Sequence, residues 1–580
     1  MRRLYAYMLR YKRRYVFGLV CVFATATVAM IIPYFLKRAV EVIEHDHELR
    51  GLRFYILLII GLALVQGVVR TFSRFTIFNI GRDIEYDLRN DLFAHLETLP
   101  QSYYQKSQTG DLMSRLVNDI GAVRMMIGPG ILNFINTPVY YLYAVSIMVT
   151  ISVPLTVFSL MAYPIVLWIV KRLSRQLMEQ TVKVQEGLAT LSSRVQENLS
   201  GMTVVKAYAL EDSEIASFER LNAEFQEQSL ALARVRGFIA PVMKLVSSAG
   251  ILVVLWFGGW LVIRERVGIG GLVAFIAYLH LLAWPTMAMG WMLSILQRGR
   301  ASMMRLEHIF VAEPEIFGAP SDGEAPIERG EIEFDAVRCA YPGRRSPDVL
   351  ADVRLRIPAG STVAIVGRTG AGKTTLVNLI PRLFDPTSGS VRIDGRDVRA
   401  MSLATLRRAL GPVPQDPFLF STTIRENIAY GLSGNGDVDA KVRWAATVAG
   451  LEKDLEALPR GLETPVGERG ITLSGGQKQR VTLARALAVD PKILILDDAL
   501  SSVDSETERR ILRQLRESFP HRTRLVISHR SSTVRGADHI VVLDEGRIVE
   551  VGTHEDLLRR GGVYAAIFME QMVENELEAL

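Results

Sequence analysis

The stretch Val363-Ala-Ile-Val-Gly-Arg-Thr-Gly-Ala-Gly-Lys-Thr-Thr375 decides how the second half of the chain folds. Four apolar residues in a row read as a strand buried on both faces, the mark of a parallel sheet. A glycine-rich turn and a helix follow. Gly367, Gly372, Lys373 and Thr374 fit the G-x-x-x-x-G-K-[ST] spacing. Glycines let backbone N–H groups close on phosphate oxygens, and the helix start favours an anion. Lys373 supplies a point charge for the β- and γ-phosphates, and the Thr374 hydroxyl is a hard ligand for Mg²⁺.

A second apolar run, Lys492-Ile-Leu-Ile-Leu-Asp497, reads as another central strand. It delivers Asp497 to the carboxyl end of the sheet, where ligands gather in α/β folds. Asp497 is expected to hold Mg²⁺ directly or through water. The two motifs together specify a P-loop nucleotidase. Between them lies Leu473-Ser-Gly-Gly-Gln477, twenty residues before Ile493, and it opens a helix-forming run. Ser474, Gly475, Gly476 and Gln477 make a second phosphate-binding helix start. One nucleotide does not need two such cradles, so this one is expected to serve the nucleotide of another copy.

The first 310 residues are of a different kind. The chain has 580 residues, 49% hydrophobic and 22% charged, with a mean hydropathy of +0.21. That composition excludes a disordered, collagen-like or disulfide-stapled chain. Cys21 and Cys339 are the two cysteines, and no Cys/His cluster has metal-ligand spacing. Six stretches are apolar enough to cross a bilayer: 15–36, 54–80, 128–149, 152–170, 238–263 and 271–296. The connections between the second and third and between the fourth and fifth are long, polar and helix-forming. The N-terminus and these long connections carry 20 basic residues and the short outer loops 6, which favours the N-terminus and the long connections inside. Met1–Tyr15 reads as a basic amphipathic helix at the cytoplasmic membrane face. Arg70, Arg74, Lys244 and His280 lie in or beside the spans; they either line a polar path or snorkel to the membrane surface. The expected fold is an α-helical membrane domain of six transmembrane helices (1–315), a linker rich in Pro, Gly and acid (316–330) and an α/β P-loop nucleotide-binding domain (331–580).

These motifs in this order resemble the ATP-binding-cassette proteins, and the six preceding spans resemble the exporter branch, built as a half-transporter. The resemblance covers nearly the whole chain. It implies two halves around two ATP molecules sandwiched head-to-tail, with Mg²⁺. It implies that the loop Gly367, Arg368, Thr369, Gly370, Ala371, Gly372, Lys373, Thr374 and Thr375 holds the phosphates. Tyr341 would stack on adenine. Gln415, in Val413-Pro-Gln-Asp-Pro417, would sense Mg²⁺ and contact the membrane domain. Thr464–Gly470 looks like the exporter coupling loop, Ser501–Asp504 like the loop that crosses the dimer interface, and His529 like the histidine on the γ-phosphate. Thr109–Arg115 and Gly201–Tyr208 resemble the first and second coupling regions.

One residue departs from the family. Asp498 stands where the family usually has the glutamate that polarises the attacking water. Aspartate is one methylene shorter, so its carboxylate falls roughly 1–1.5 Å short, a misplacement that can cost about 10²-fold. An intact signature beside a short base resembles one subunit of heterodimeric bacterial multidrug exporters. The expectation is therefore an ATP-hydrolysing translocase of the cytoplasmic membrane, whose own site is slow and whose signature completes a partner's productive site. A homodimeric lipid flippase and an ATP-gated channel are the alternatives.

Overall fold

The computed structural model describes residues 1–46, 49–161, 163–318, 325–340, 348–432, 437–467 and 470–578. They divide into two compact units, Met1–Glu97 with Thr109–Ala312, and Thr98–Gln108 with Glu313–Leu580.

The first unit is helical. Among the described residues, four helical stretches are long and apolar enough to span a membrane: Lys12–His45, Leu49–Leu96, Thr109–Ile151 and Ile269–Val311. They carry the first, second, third and sixth expected spans. The fourth falls on helices Val153–Leu160 and Tyr163–Ser200, the fifth on the end of helix Glu211–Ile263. The third and fourth are separated by a single extended residue, Ser152, whose hydroxyl caps the next helix by accepting from Leu155 N–H. Close packing sets the helix approaches. A Cβ on Gly18 would lie 2.7 Å from Ile77 Cγ1, so helix Lys12–Glu41 meets helix Leu49–Leu96 through a residue with no side chain. Tyr278 is fully buried and its hydroxyl donates to the Met30 carbonyl at 2.8 Å.

The N-terminal helix Arg2–Arg10 buries Leu4 and Tyr7. That helix and the start of helix Lys12–Glu41 together meet a ladder of carboxylates one helical turn apart on helix Leu49–Leu96. Tyr7 donates to Asp91 at 2.5 Å, Tyr11 to Asp87 at 3.1 Å and Arg14 to Asp83 at 2.7 Å. Arg3, Arg10 and Arg14 of the basic start are paired with Glu307, Asp87 and Asp83.

Among the described residues the second unit holds ten strands: β1 (Ile332–Cys339), β2 (Leu350–Ile357), β3 (Thr362–Val366), β4 (Ser388–Ile393), β5 (Arg396–Asp397), β6 (Leu410–Val413), β7 (Ile493–Asp497), β8 (Thr523–Ile527), β9 (His539–Asp544) and β10 (Arg547–Gly552). One sheet runs β2-β1-β4-β5 and is antiparallel; the other runs β10-β9-β3-β8-β7-β6, parallel from β9 to β6. The segments expected as central strands, 363–366 and 493–497, lie in the middle of the larger sheet and are buried along their length. Three apolar clusters follow among the described residues: one packs the antiparallel sheet against β3, β7 and β8, a second packs helices Ile424–Ala429, Val438–Val448 and Gly475–Ala488 beside β6 and β7, and a third packs Leu557 and Tyr564 against β3 and β9.

Candidate active site

Sheet order assembles the site. Strands β3, β8, β7 and β6 are parallel neighbours, so their carboxyl ends form one edge. From that edge emerge the loop 367–372 after β3, His529 after β8, Asp497 and Asp498 at and after β7, and Gln415 after β6. The Asp498 N–H donates to the Ile527 carbonyl at 2.9 Å, which fixes the aspartate pair beside the histidine loop. His529, Thr374 and Gln415 are exposed, and Asp497 is buried.

The glycine loop is shaped as a cradle. Gly370 and Gly372 hold φ of +85° and +98°, a left-handed backbone that a side chain resists. A Cβ on Gly372 would sit 2.9 Å from the Val349 carbonyl, and one on Gly367 would collide with the Leu543 carbonyl. The loop therefore presents bare backbone. Lys373 Nζ donates to the carbonyls of Gly367 at 2.7 Å and Arg368 at 3.1 Å, curling back over the loop. Burial pushes the Lys373 ammonium below its ordinary value, against the pull of Asp497 and Asp498. Burial pushes the Asp497 carboxyl up and the Asp498 charge adds to that, while the Thr374 hydroxyl that bonds it, Lys373 and His529 oppose. A hydroxyl and a carboxylate held together at the mouth of an N–H-lined cradle are hard oxygen donors, and they fit a magnesium-bound triphosphate.

The second cradle is equally built. Ser474 caps helix Gly475–Ala488: its hydroxyl accepts from Gln477 N–H at 3.2 Å, and the Gln477 side chain accepts from Ser474 N–H at 2.9 Å. A Cβ on Gly476 would stand 2.8 Å from the Ser502 carbonyl. That close approach explains the second glycine of the pair.

Two models of known families match: the ABC transporter transmembrane region over residues 15–286 and the ABC transporter domain over 350–501. The probable multidrug resistance ABC transporter ATP-binding/permease protein YheI of Bacillus subtilis (strain 168) is 35% identical over 567 residues, spanning 97% of this chain and 96% of the relative. The ATP-dependent lipid A-core flippase of Syntrophus aciditrophicus (strain SB) is 33% identical, with 97% and 93% spanned. A solved bacterial Atm1-family ABC exporter with ATP bound superposes with a TM-score of 0.79 at 29% identity, covering 97% of this chain and 99% of that one. The chain belongs to the ABC transporter family.

The protein is an ABC exporter: a multi-pass membrane protein fused to an ATP-hydrolysing cassette. Within the cassette, several of the bonds that position the motifs come from residues the sequence did not mark. Gln479 donates to the Ser501 hydroxyl and accepts from Ser502 N–H, both at 2.9 Å, tying the signature helix to the loop 501–504. Asp454 receives Gln477 at 3.1 Å and Arg480 at 2.6 Å. Arg530, next to His529, donates to the carbonyls of Val503 at 2.6 Å and Ser501 at 2.7 Å and pairs with the buried Glu508. Only the run Ser-His-Arg could have hinted at that clamp. Asp504 caps helix Ser505–Ser518 by accepting from Thr507 N–H at 2.9 Å, and that bond holds its carboxyl below the usual range.

Other expected positions fall as follows. Tyr341 lies outside the described residues, as do Glu468 and Arg469 of the 464–470 stretch. Of the rest of that stretch, the Thr464 carbonyl accepts from Ile424 N–H at 3.1 Å and Val466 N–H donates to the Thr422 carbonyl at 3.0 Å. Helix Thr109–Ser114 belongs to the helical unit; the short helix grouped with the cassette is Gln101–Lys106, just ahead of it, whose Ser102 donates to Glu315 at 3.3 Å.

Asp498 has a further peculiarity. Its φ is +48°, a left-handed backbone. Aspartate tolerates that region better than longer side chains do.

Proposed function

We propose that this chain is one half of a dimeric exporter of the cytoplasmic membrane, with the N-terminus and cassette on the cytoplasmic side. It moves hydrophobic or amphipathic substrates outward by alternating access. Gly367–Thr375 bind the triphosphate, Tyr341 the adenine, and Ser474–Gln477 the γ-phosphate of the nucleotide on the opposing cassette. Mg²⁺ held by Thr374, Asp497 and Gln415 would neutralise charge developing on the β- and γ-oxygens. His529 orients the γ-phosphate, and Asp504 lies at the cassette interface. Closure shifts the membrane domain because ATP binds the closed pair better than the open one.

The partner is a second, different half-transporter. The observation that carries this is the pairing of an intact, fully capped signature helix with the short carboxylate of Asp498. The reading assigns slow hydrolysis to this chain's own cradle and fast hydrolysis to the site its signature completes. Substituting Asp498→Asn in the purified native complex tests it. Turnover within about twofold of wild type supports the division; a loss of about 10²-fold or more means that Asp498 is the working base of a homodimer.

The relative named as a lipid A-core flippase favours a second reading, a lipid flippase, which as a homodimer would hydrolyse ATP with Asp498 in both sites. A regulator or channel would need only ATP binding. Flux that continues with a non-hydrolysable analogue would support gating, and flux that stops supports export.

A further inference from the structure

We propose that the membrane domain carries a binding site for an anionic head group, and that the exported substrates include organic acids or phosphate-bearing amphiphiles. The proposal rests on the exporter reading above and deepens it. Helices Lys12–Glu41, Leu49–Leu96, Ile131–Ile151 and Ile269–Val311 line a half-open cavity of about 180 Å³, whose walls include Arg70, Arg74, Asn136, Tyr140, His280 and Trp284. An apolar cavity of about 150 Å³ accommodates a benzene ring, so this space suits a head group or ring, not a whole lipid.

Charge gives the space its selectivity. Arg70 and Arg74 sit one helical turn apart on one face of their helix, and His280 joins them from another helix. The stretches that wall the cavity, 15–36, 54–81, 128–151 and 271–296, contain no Asp or Glu. The two guanidinium groups therefore face the cavity with no carboxylate from these walls to balance them. Such charge inside spanning helices is costly and marks a path for a charged ligand. Snorkelling is a poor alternative for Arg70. It lies twelve residues before Arg82, roughly 18 Å along the helix at the usual rise, farther than an arginine extends. Arginine pairs bidentately with carboxylate and phosphate. Trp284, exposed to the cavity, and Tyr140 offer flat apolar surface to the ring or chain behind the acid.

The test uses the full-length complex in lipid nanodiscs, with equilibrium binding of dodecyl phosphate, dodecyltrimethylammonium and phenyl phosphate. Dodecyl phosphate is expected to bind at least about tenfold tighter than its tail-matched cation, the size of one charge-assisted contact. The double substitution Arg70→Glu/Arg74→Glu should reverse that order, and Arg70→Lys/Arg74→Lys should keep it. Phenyl phosphate binding as tightly as dodecyl phosphate points to a soluble aromatic acid; binding of the dodecyl compound alone points to a lipid. Equal binding of anion and cation by the wild-type complex overturns the proposal, as does an unchanged order in the Glu variant. ATP-driven flux separates the two layers. Flux of a neutral substrate without charge preference leaves the exporter and removes this site, whereas charge preference without ATP-driven flux leaves the site and removes the exporter.

Discussion

Asp498 concentrates the question of activity in one side chain. Its left-handed backbone and the Asp498 N–H to Ile527 bond hold it in place, so the chain cannot easily advance to make up a missing methylene. Replacing it with glutamate sets two effects against each other. A longer side chain at positive φ costs stability of about 1 kcal/mol. A carboxylate brought within reach of the attacking water recovers up to about 10²-fold in rate, or about 2.7 kcal/mol of barrier. The second term is larger. Asp498→Glu is therefore expected to raise ATP hydrolysis at this chain's own cradle by about 10-fold to 10²-fold, read by phosphate release from a complex whose partner site has been inactivated by substitution of its own catalytic carboxylate. A variant no faster than wild type would show that reach is not what limits the site.

Among the elements, the end of the chain offers a pH-dependent bond. Helix His554–Arg560 starts with a histidine whose Nδ1 lies 2.7 Å from the Tyr564 hydroxyl, edge-on to Tyr564 and Phe568. Burial pushes the imidazole below its ordinary value, the Arg535 charge adds to this, and Glu555 opposes it. The folded pKa is thus below the unfolded one, near 6.5, and the unfolded chain takes up the proton first. Stability is full above about pH 6.5 and falls as the pH drops through it. Thermal unfolding of the full-length protein at about pH 7.5 and pH 5.5 should show a larger loss in wild type than in His554→Gln; equal losses would place the acid sensitivity elsewhere. Elements also show what could be read in advance. Buried strands 363–366 and 493–497 were legible because an apolar run between turn residues has few other fates, and the motifs at their ends came with them. Four spans were legible from length and hydropathy alone. The Asp83, Asp87 and Asp91 ladder was not, because carboxylates at a spacing of four look like any solvated helix face until the basic N-terminal helix lies against them. Nor were Gln479, Asp454 and Arg530, whose partners sit 22 to 29 residues away and meet only once the sheet order is set.

At the scale of the whole molecule, the distribution of motifs argues for a partner. One chain carries a complete phosphate cradle with a short carboxylate and, separately, an intact signature whose own bonds are spent on Asp454 and the loop 501–504. Each half-site is well formed, yet a slow and a fast site can coexist only if the two cassettes differ. Two copies of this chain would place Asp498 in both sites, and turnover would rest on aspartate alone. A complex with a second chain that supplies glutamate keeps one fast site, which is enough to reset the cycle. Native mass spectrometry of the complex, tagged on this chain and gently purified from its own host, distinguishes the two. A mass of twice the 64.7 kDa chain would mean a homodimer, and the division of labour between sites would fall. A mass offset by a second polypeptide, with glutamate at its position equivalent to Asp498, is the expected result.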